Sequence, residues 1–180
     1  MATIHYISII RQSLYMKKTA IFLSFGALMG LSSYGQSFSG HWTLQERTSL
    51  SGIDYGNGVP KDVTMTQGTD SMTITRITSM GQNPDVTATE TISENGAVNQ
   101  KTTSTNRNKT AVFTWTEPNK SFNEKTTLSS VGNPSDLNLQ IDETWSLSPD
   151  GNTLTLVKDF KNLKNSSDMW SQKGVYTRSN

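Results

Sequence analysis

From His41 onward the chain alternates apolar and polar side chains with a period of two, the spacing of strands rather than helices. Val63 and Met65 alternate with Thr64 and Thr66, and Met72 and Ile74 with Thr73 and Thr75. The longest run is Leu139, Ile141, Glu143, Trp145 and Leu147, separated by Gln140, Asp142, Thr144 and Ser146. Thr, Ser and Asn supply most of the polar positions, a mix that favours strands and turns. No window of helical period interrupts the pattern.

Turn signals recur about every dozen residues. They are Gly68-Thr69, Gln82-Asn83-Pro84, Asn95-Gly96, Asn106-Arg107-Asn108, Pro118-Asn119, Gly132-Asn133-Pro134, Asp150-Gly151 and Asn165-Ser166-Ser167. With the Gly-rich loop from Ser51 to Pro60 they make nine connections, hence about ten strands. Links this short join antiparallel neighbours, so the fold class is all-β: an antiparallel up-and-down meander. Closing it into a barrel removes the two exposed edges an open sheet would carry.

Turn positions fix registers. A two-residue turn at Asp150-Gly151 sets Leu147 opposite Leu154, Trp145 opposite Leu156 and Ile141 opposite Phe160. The other turns predict Met65 opposite Met72, Val63 opposite Ile74, and Trp115 opposite Phe122. The same arithmetic sets Glu143 opposite Lys158 on the apolar face, and Glu90 opposite Lys101 across Asn95-Gly96. Arg76, Glu124 and Glu46 also fall in phase with apolar neighbours. Buried charges persist chiefly when paired, so ion pairing along the inner wall is one reading and a polar anchor for a ligand is another. The expected interior comprises Leu44, Met65, Met72, Ile74, Phe113, Trp115, Ile141, Trp145, Leu156 and Phe160. Trp170 is out of phase with Met169 and Val175, which predicts an outward ring beside Tyr176.

Upstream of the strands, "MKKTAIFLSFGALMGLSSYGQ" has Lys17 and Lys18, a twelve-residue apolar core from Ala20 to Leu31, and small residues ending at Gly35. That order is a secretory signal peptide, and its core is shorter than the roughly 20 apolar residues of a membrane span. Residues 16–35 are expected to be the signal, cleaved near Gly35, with Met16 the native start and residues 1–15 outside the native protein. No cysteine follows the apolar core, so the signal is not of the lipid-anchored kind. The expected product, residues 36–180, suits a single domain in a periplasmic or extracellular setting. Setting aside Arg11, Lys17 and Lys18 leaves 13 of 16 basic residues against all 15 acidic ones. The two signs are interspersed, which matches neither a nucleic-acid footprint nor a polybasic membrane patch. There is no cysteine, so the core holds the fold without disulfides.

Candidate chemistry is sparse. His41 is the one histidine after residue 35, so no histidine cluster is available for a metal, and its parity opposite Trp42 points it outward. Glu46, Glu90, Glu124 and Glu143 offer carboxylates, with no spacing that selects an acid–base pair. No phosphate-binding Gly loop or calcium-loop pattern is present, and no cofactor is implied. Three Asn-Xaa-Ser/Thr triplets, at Asn108, Asn119 and Asn165, read as turn residues.

With the strands placed, "FSGHWTL" resembles the opening of lipocalin-like (calycin-type) barrels, which carry Gly-Xaa-Trp in the first strand. Here Gly40-His41-Trp42 matches. The resemblance implies that Trp42 closes one end of the barrel and that Arg178, in "VYTRSN", packs on it. "ETWSLSPDGNTLTL" and "DVTMTQGTDSMTITR" are similar to the repeated hairpins of exported bacterial lipocalin-like domains. The helix lipocalins carry beside the barrel has no counterpart here. Ten strands are closer to the fatty-acid-binding branch, with the loop from Ser51 to Pro60 in place of its helical lid.

Three functional expectations follow, two of them leading. One is a non-catalytic barrel binding a small, partly apolar or amphipathic molecule, with Glu143, Lys158, Trp145, Trp115, Phe113 and Arg76 lining the site. The other is a filled barrel acting through its surface as a structural or interaction module of the cell envelope. A small hydrolase or isomerase using buried carboxylates ranks third. An accessible cavity separates the first from the second.

Overall fold

The computed structural model describes residues 36–103 and 106–179. The expected signal peptide and the residues before Met16 lie outside the described residues. Ten strands follow one another: β1 (Gly40–Gly52), β2 (Asp62–Gln67), β3 (Ser71–Met80), β4 (Asn83–Ser93), β5 (Asn99–Thr102), β6 (Arg107–Glu117), β7 (Ser121–Ser130), β8 (Asn133–Leu147), β9 (Thr153–Asn162) and β10 (Met169–Ser179). All pairings are antiparallel, in the order β4-β3-β2-β1-β10-β9-β8-β7-β6-β5. First and last strands therefore pair, His41 with Ser179 and Trp42 with Arg178. The sheet curls into a nearly closed barrel, in which the end strand β4 comes closest to β6 across the gap beside the short β5. Among the described residues there is no helix.

The registers follow the turn chemistry. Leu147–Leu154, Trp145–Leu156, Glu143–Lys158 and Ile141–Phe160 face each other across β8–β9. Trp115 faces Phe122, with Asn119 in the left-handed turn position at φ 56°. The β2–β3 hairpin differs by two residues from expectation: Met65 faces Ile74, Val63 faces Arg76 and Gln67 faces Met72. The turn centres on Thr69-Asp70, closed by Gly68 N–H donating to Ser71 O at 2.8 Å. A slip of two keeps every side chain on its face, so the pattern alone does not resist it.

Alternate connections gather at opposite ends. One end is plugged. Phe38, Trp42, Phe122, Trp145 and Tyr176 are fully buried there, and the Phe113 and Phe122 rings stack at 4.6 Å. The Arg178 guanidinium lies 4.5 Å over the Trp42 ring and donates to Ser39 O (2.9 Å) and Ser37 O (2.8 Å). Trp42 Nε1 donates to Phe38 O at 3.0 Å, folding the segment before β1 over this end. A Cβ on Gly40 would stand 3.3 Å from Arg178 Nη1, so glycine lets the arginine cross.

The other end carries the β1–β2 loop as an inward-folded flap. Tyr55 packs on Trp170 at 5.7 Å, Gln172 Nε2 donates to Tyr55 O at 2.8 Å, and Tyr176 Oη donates to Pro60 O at 3.0 Å. Gly58 lets the flap close on Gln172, because a Cβ there would fall 1.9 Å from Gln172 Oε1 and displace that side chain.

Two phase expectations are corrected. Trp170, Gln172, Gly174 and Tyr176 form the buried face of β10, whereas Met169 is exposed. Val175 is a weak phase marker beside three large polar or aromatic residues that the flap covers. Glu46 is exposed, because a bulge between Leu44 and Glu46 shifts the parity of β1. His41 is exposed, with Nε2 3.5 Å from Asp62 Oδ1.

Candidate functional site

The candidate site lies between the plug and the open end. The Asp150-Gly151 turn brings Glu143 opposite Lys158, and the β7–β8 register sets Glu124 directly opposite Glu143. Two carboxylates facing each other on an inner wall repel. Arg76 crosses the lumen from β3 and resolves this. Its Nη2 donates to Glu124 Oε2 at 2.5 Å and to Glu143 Oε2 at 2.8 Å, and its Nη1 donates to Glu90 Oε1 at 2.5 Å. The guanidinium sits 5.8 Å from the Trp145 ring, on top of the plug.

Lysines complete the layer. Lys158 Nζ is 3.4 Å from Glu143 Oε1. Lys109 Nζ bonds Glu90 Oε2 and lies 3.6 Å from Glu124 Oε1. Lys101 Nζ is 3.7 Å from Glu90 Oε2 and half exposed. All six carboxylate oxygens of the three glutamates thus have a cationic partner.

The electrostatics follow from burial set against these partners. Burial pushes Glu143 up, but Arg76 and Lys158 outweigh it and hold it at about 2. Burial likewise raises Glu90, and Arg76 and Lys109 bring it below the usual carboxylate range. Glu124 ends above that range, because burial and the neighbouring Glu143 and Glu90 prevail over Arg76. Burial opposes the Arg76 charge, yet the three carboxylates hold its proton more firmly than usual. The layer is a paired polar floor.

Two pockets touch this floor. The mouth pocket, about 340 Å³, is lined by Tyr55, Gly58, Ile141, Lys158, Phe160 and Trp170, with Asn57 and Asp168 at its edge. Phe160 and Trp170 stack at 5.2 Å, 9° from parallel, making one wall a flat aromatic surface. The second pocket, about 500 Å³, lies along the margin between β4 and β5–β6 and includes Glu90, Lys101 and Lys109.

Of the residues expected at a binding site, Glu143, Lys158 and Arg76 meet in the charged layer, and Lys158 reaches the mouth pocket. Phe113 and Trp145 are sealed in the plug, and Trp115 is packed at its edge; none of the three lines either pocket. Sequence reasoning missed Lys109 and Tyr55. Lys109 shares parity with Ala111, Phe113 and Trp115, a signal of the kind that marked Glu143. Tyr55 stands in a Gly-rich loop with no periodicity to read.

The Asn95-Gly96 connection corrects another expectation. β4 and β5 do not pair, so Glu90 and Lys101 are not ladder partners; they meet through their side chains alone.

Among the described residues, no group of three or more His, Asp or Glu side chains is arranged to hold a metal ion, and no helix is long and apolar enough to cross a membrane. No protein-family model matches this chain, and no curated protein matches it in sequence. Among solved structures, two point mutants of the fluorescent protein UnaG are similar, each at 12% identity over 79% of this chain and 96% of theirs, with TM-scores of 0.45 and 0.43.

Proposed function

We propose that this protein is an exported lipocalin-like barrel that binds a small, partly apolar molecule at its mouth, without catalysis. The observation that carries this reading is the mouth pocket, where an aromatic wall stands over a charged floor. Its volume of about 340 Å³ is in the range of small-molecule sites. The apolar body of the ligand packs on Phe160, Trp170 and Ile141, and its polar end turns toward Lys158. Arg76 holds Glu143, and Glu143 holds Lys158, so the anchor is oriented before a ligand arrives. A non-catalytic role is supported by the carboxylates, since each already has its oxygens engaged by cations. Export is supported by the pattern of residues 16–35, and N-terminal sequencing of secreted protein should find Gln36 or a neighbour first.

Native mass spectrometry of protein purified from its own host tests the binding. A co-purifying small molecule is expected, together with thermal stabilisation by members of a lipid and metabolite panel. Phe160→Ala should weaken that binding at least about tenfold, the loss of one large aromatic contact. The absence of both a bound molecule and any thermal shift would favour the alternative, a filled envelope module acting through its surface. The solid packing of the plugged end is the observation behind that second reading.

A further inference from the structure

We propose that the margin between β4 and the β5–β6 pair is a gate: the strand boundary at which this barrel opens, latched by Glu90 against Lys109 and Lys101. Eight of the nine strand-to-strand connections close on a backbone ladder, and the one from β4 to β5 does not. The shortest ladder next to β1, Gly40–Thr43 with β2, is continued by Leu44 N–H donating to Lys61 O at 2.9 Å and is overlain by the buried flap residues Val59 and Pro60.

The bonds across the margin are ordered from one end to the other. Near the plug, Ser93 N–H donates to Asn99 Oδ1 at 3.3 Å and Trp115 Nε1 donates to Glu94 Oε2 at 3.2 Å. At mid-height stand the Glu90 pairs with Lys109 and Lys101. Toward the mouth, β4 runs through Asn83–Thr89, all exposed. The arrangement is a flap hinged at the plug and latched halfway. Its moving part is β3–β4, which carries Arg76 and Glu90 together; opening separates Glu90 from Lys109 and Lys101, and Arg76 from Glu124 and Glu143. The pocket of about 500 Å³ lies against this latch, with Thr91, Asn99 and Ala111 among its walls. When the latch parts, that pocket joins the barrel interior.

A latch made of charges responds to charge. Glu90 faces Arg76 from β3, Lys101 from β5 and Lys109 from β6, and through Arg76 it is linked to Glu124 on β7, Glu143 on β8 and Lys158 on β9. Neutralising Glu90 takes its carboxylate from Lys101 and leaves Lys109 on Glu124, on its own side of the margin, whereas the ladders elsewhere are indifferent to it. The gate belongs to the empty barrel, so it stands or falls apart from ligand binding at the mouth.

Hydrogen exchange on the full chain tests the gate. Glu90→Gln should raise exchange in β4, β5 and β6 by about tenfold or more, as local opening becomes easier, and leave β8 and β9 unchanged. The chain has no cysteine, so Ala111→Cys, at a site 2% exposed on the pocket wall, adds a single thiol behind the latch. Its labelling by a thiol reagent should accelerate in Glu90→Gln by the same factor. A uniform rise across all strands, or labelling that ignores Glu90→Gln, would overturn the gate. If Glu90→Gln does not fold, Lys101→Gln, at a half-exposed position, should give the same local pattern at about twofold; no local change would overturn it equally.

Discussion

The β8–β9 hairpin and the β4 to β5–β6 margin both meet the charged layer, and they use it in opposite ways. In the hairpin, Glu143 and Lys158 are one rung of a ladder nine residue pairs long, flanked by Trp145–Leu156 and Ile141–Phe160. The ion pair there decorates a boundary that backbone hydrogen bonds and apolar packing already hold. At the margin no ladder forms, and Glu90, Lys109 and Lys101 stand where backbone bonds would. An ion pair costs desolvation wherever it is buried, and it matters most to a boundary that no backbone ladder spans. Arg76 couples the two regions, with one nitrogen on Glu90 and the other on Glu124 and Glu143.

The largest effect should come from removing that coupling. Arg76→Met leaves three carboxylates facing one another in the lumen, and breaking a buried charge network in this way costs about 3–5 kcal/mol. Urea unfolding should show that loss. A loss below about 1 kcal/mol would mean the carboxylates find other partners.

Acid should act next, on the margin before the hairpin. Glu143 and Glu90 titrate below their ordinary values in the folded protein. Their stabilisation is complete above the unfolded value, about 4.3, and is lost as pH falls through the folded values. For Glu143 that loss extends to about 2. Glu124, held above its ordinary value, runs the other way and becomes less unfavourable as pH falls toward about 4.3. Urea midpoints should therefore change little at first and decline below about pH 4, with exchange in β4 rising earlier than in β9.

The smallest and sharpest test compares two lysines. Lys109→Gln and Lys158→Gln each remove one partner of a mostly buried carboxylate, at about 1–2 kcal/mol. The Lys109 variant should speed exchange locally in β4 and β6, and the Lys158 variant should lower global stability with no local signature. Identical patterns would erase the distinction between decoration and latch.

Much of this was legible along the chain. The nine connections and the β8–β9 register follow from turn residues and alternation, both of which act over a few neighbours. The β2–β3 register differs by two residues from the turn arithmetic, because a slip of two keeps Met65, Met72 and Ile74 on the same face. β10 was misread because Val175 suggested one phase while Trp170, Gln172 and Tyr176 occupy the other, and the flap that buries them comes from residues over a hundred positions away. Tyr55 gave no signal at all.

The sequence by itself determined the strands, their turns and the meeting of Glu143 with Lys158, because each depends on chemistry within a hairpin. Only the tertiary structure decided that Arg76 reaches Glu124 and Glu143, 48 and 67 residues away in the chain, and that the barrel stays unladdered between β4 and β5. Closure sets both: curling ten strands brings opposite walls within a side chain's length, and where the ring fails to meet is fixed by the curvature of the whole sheet rather than by any one turn.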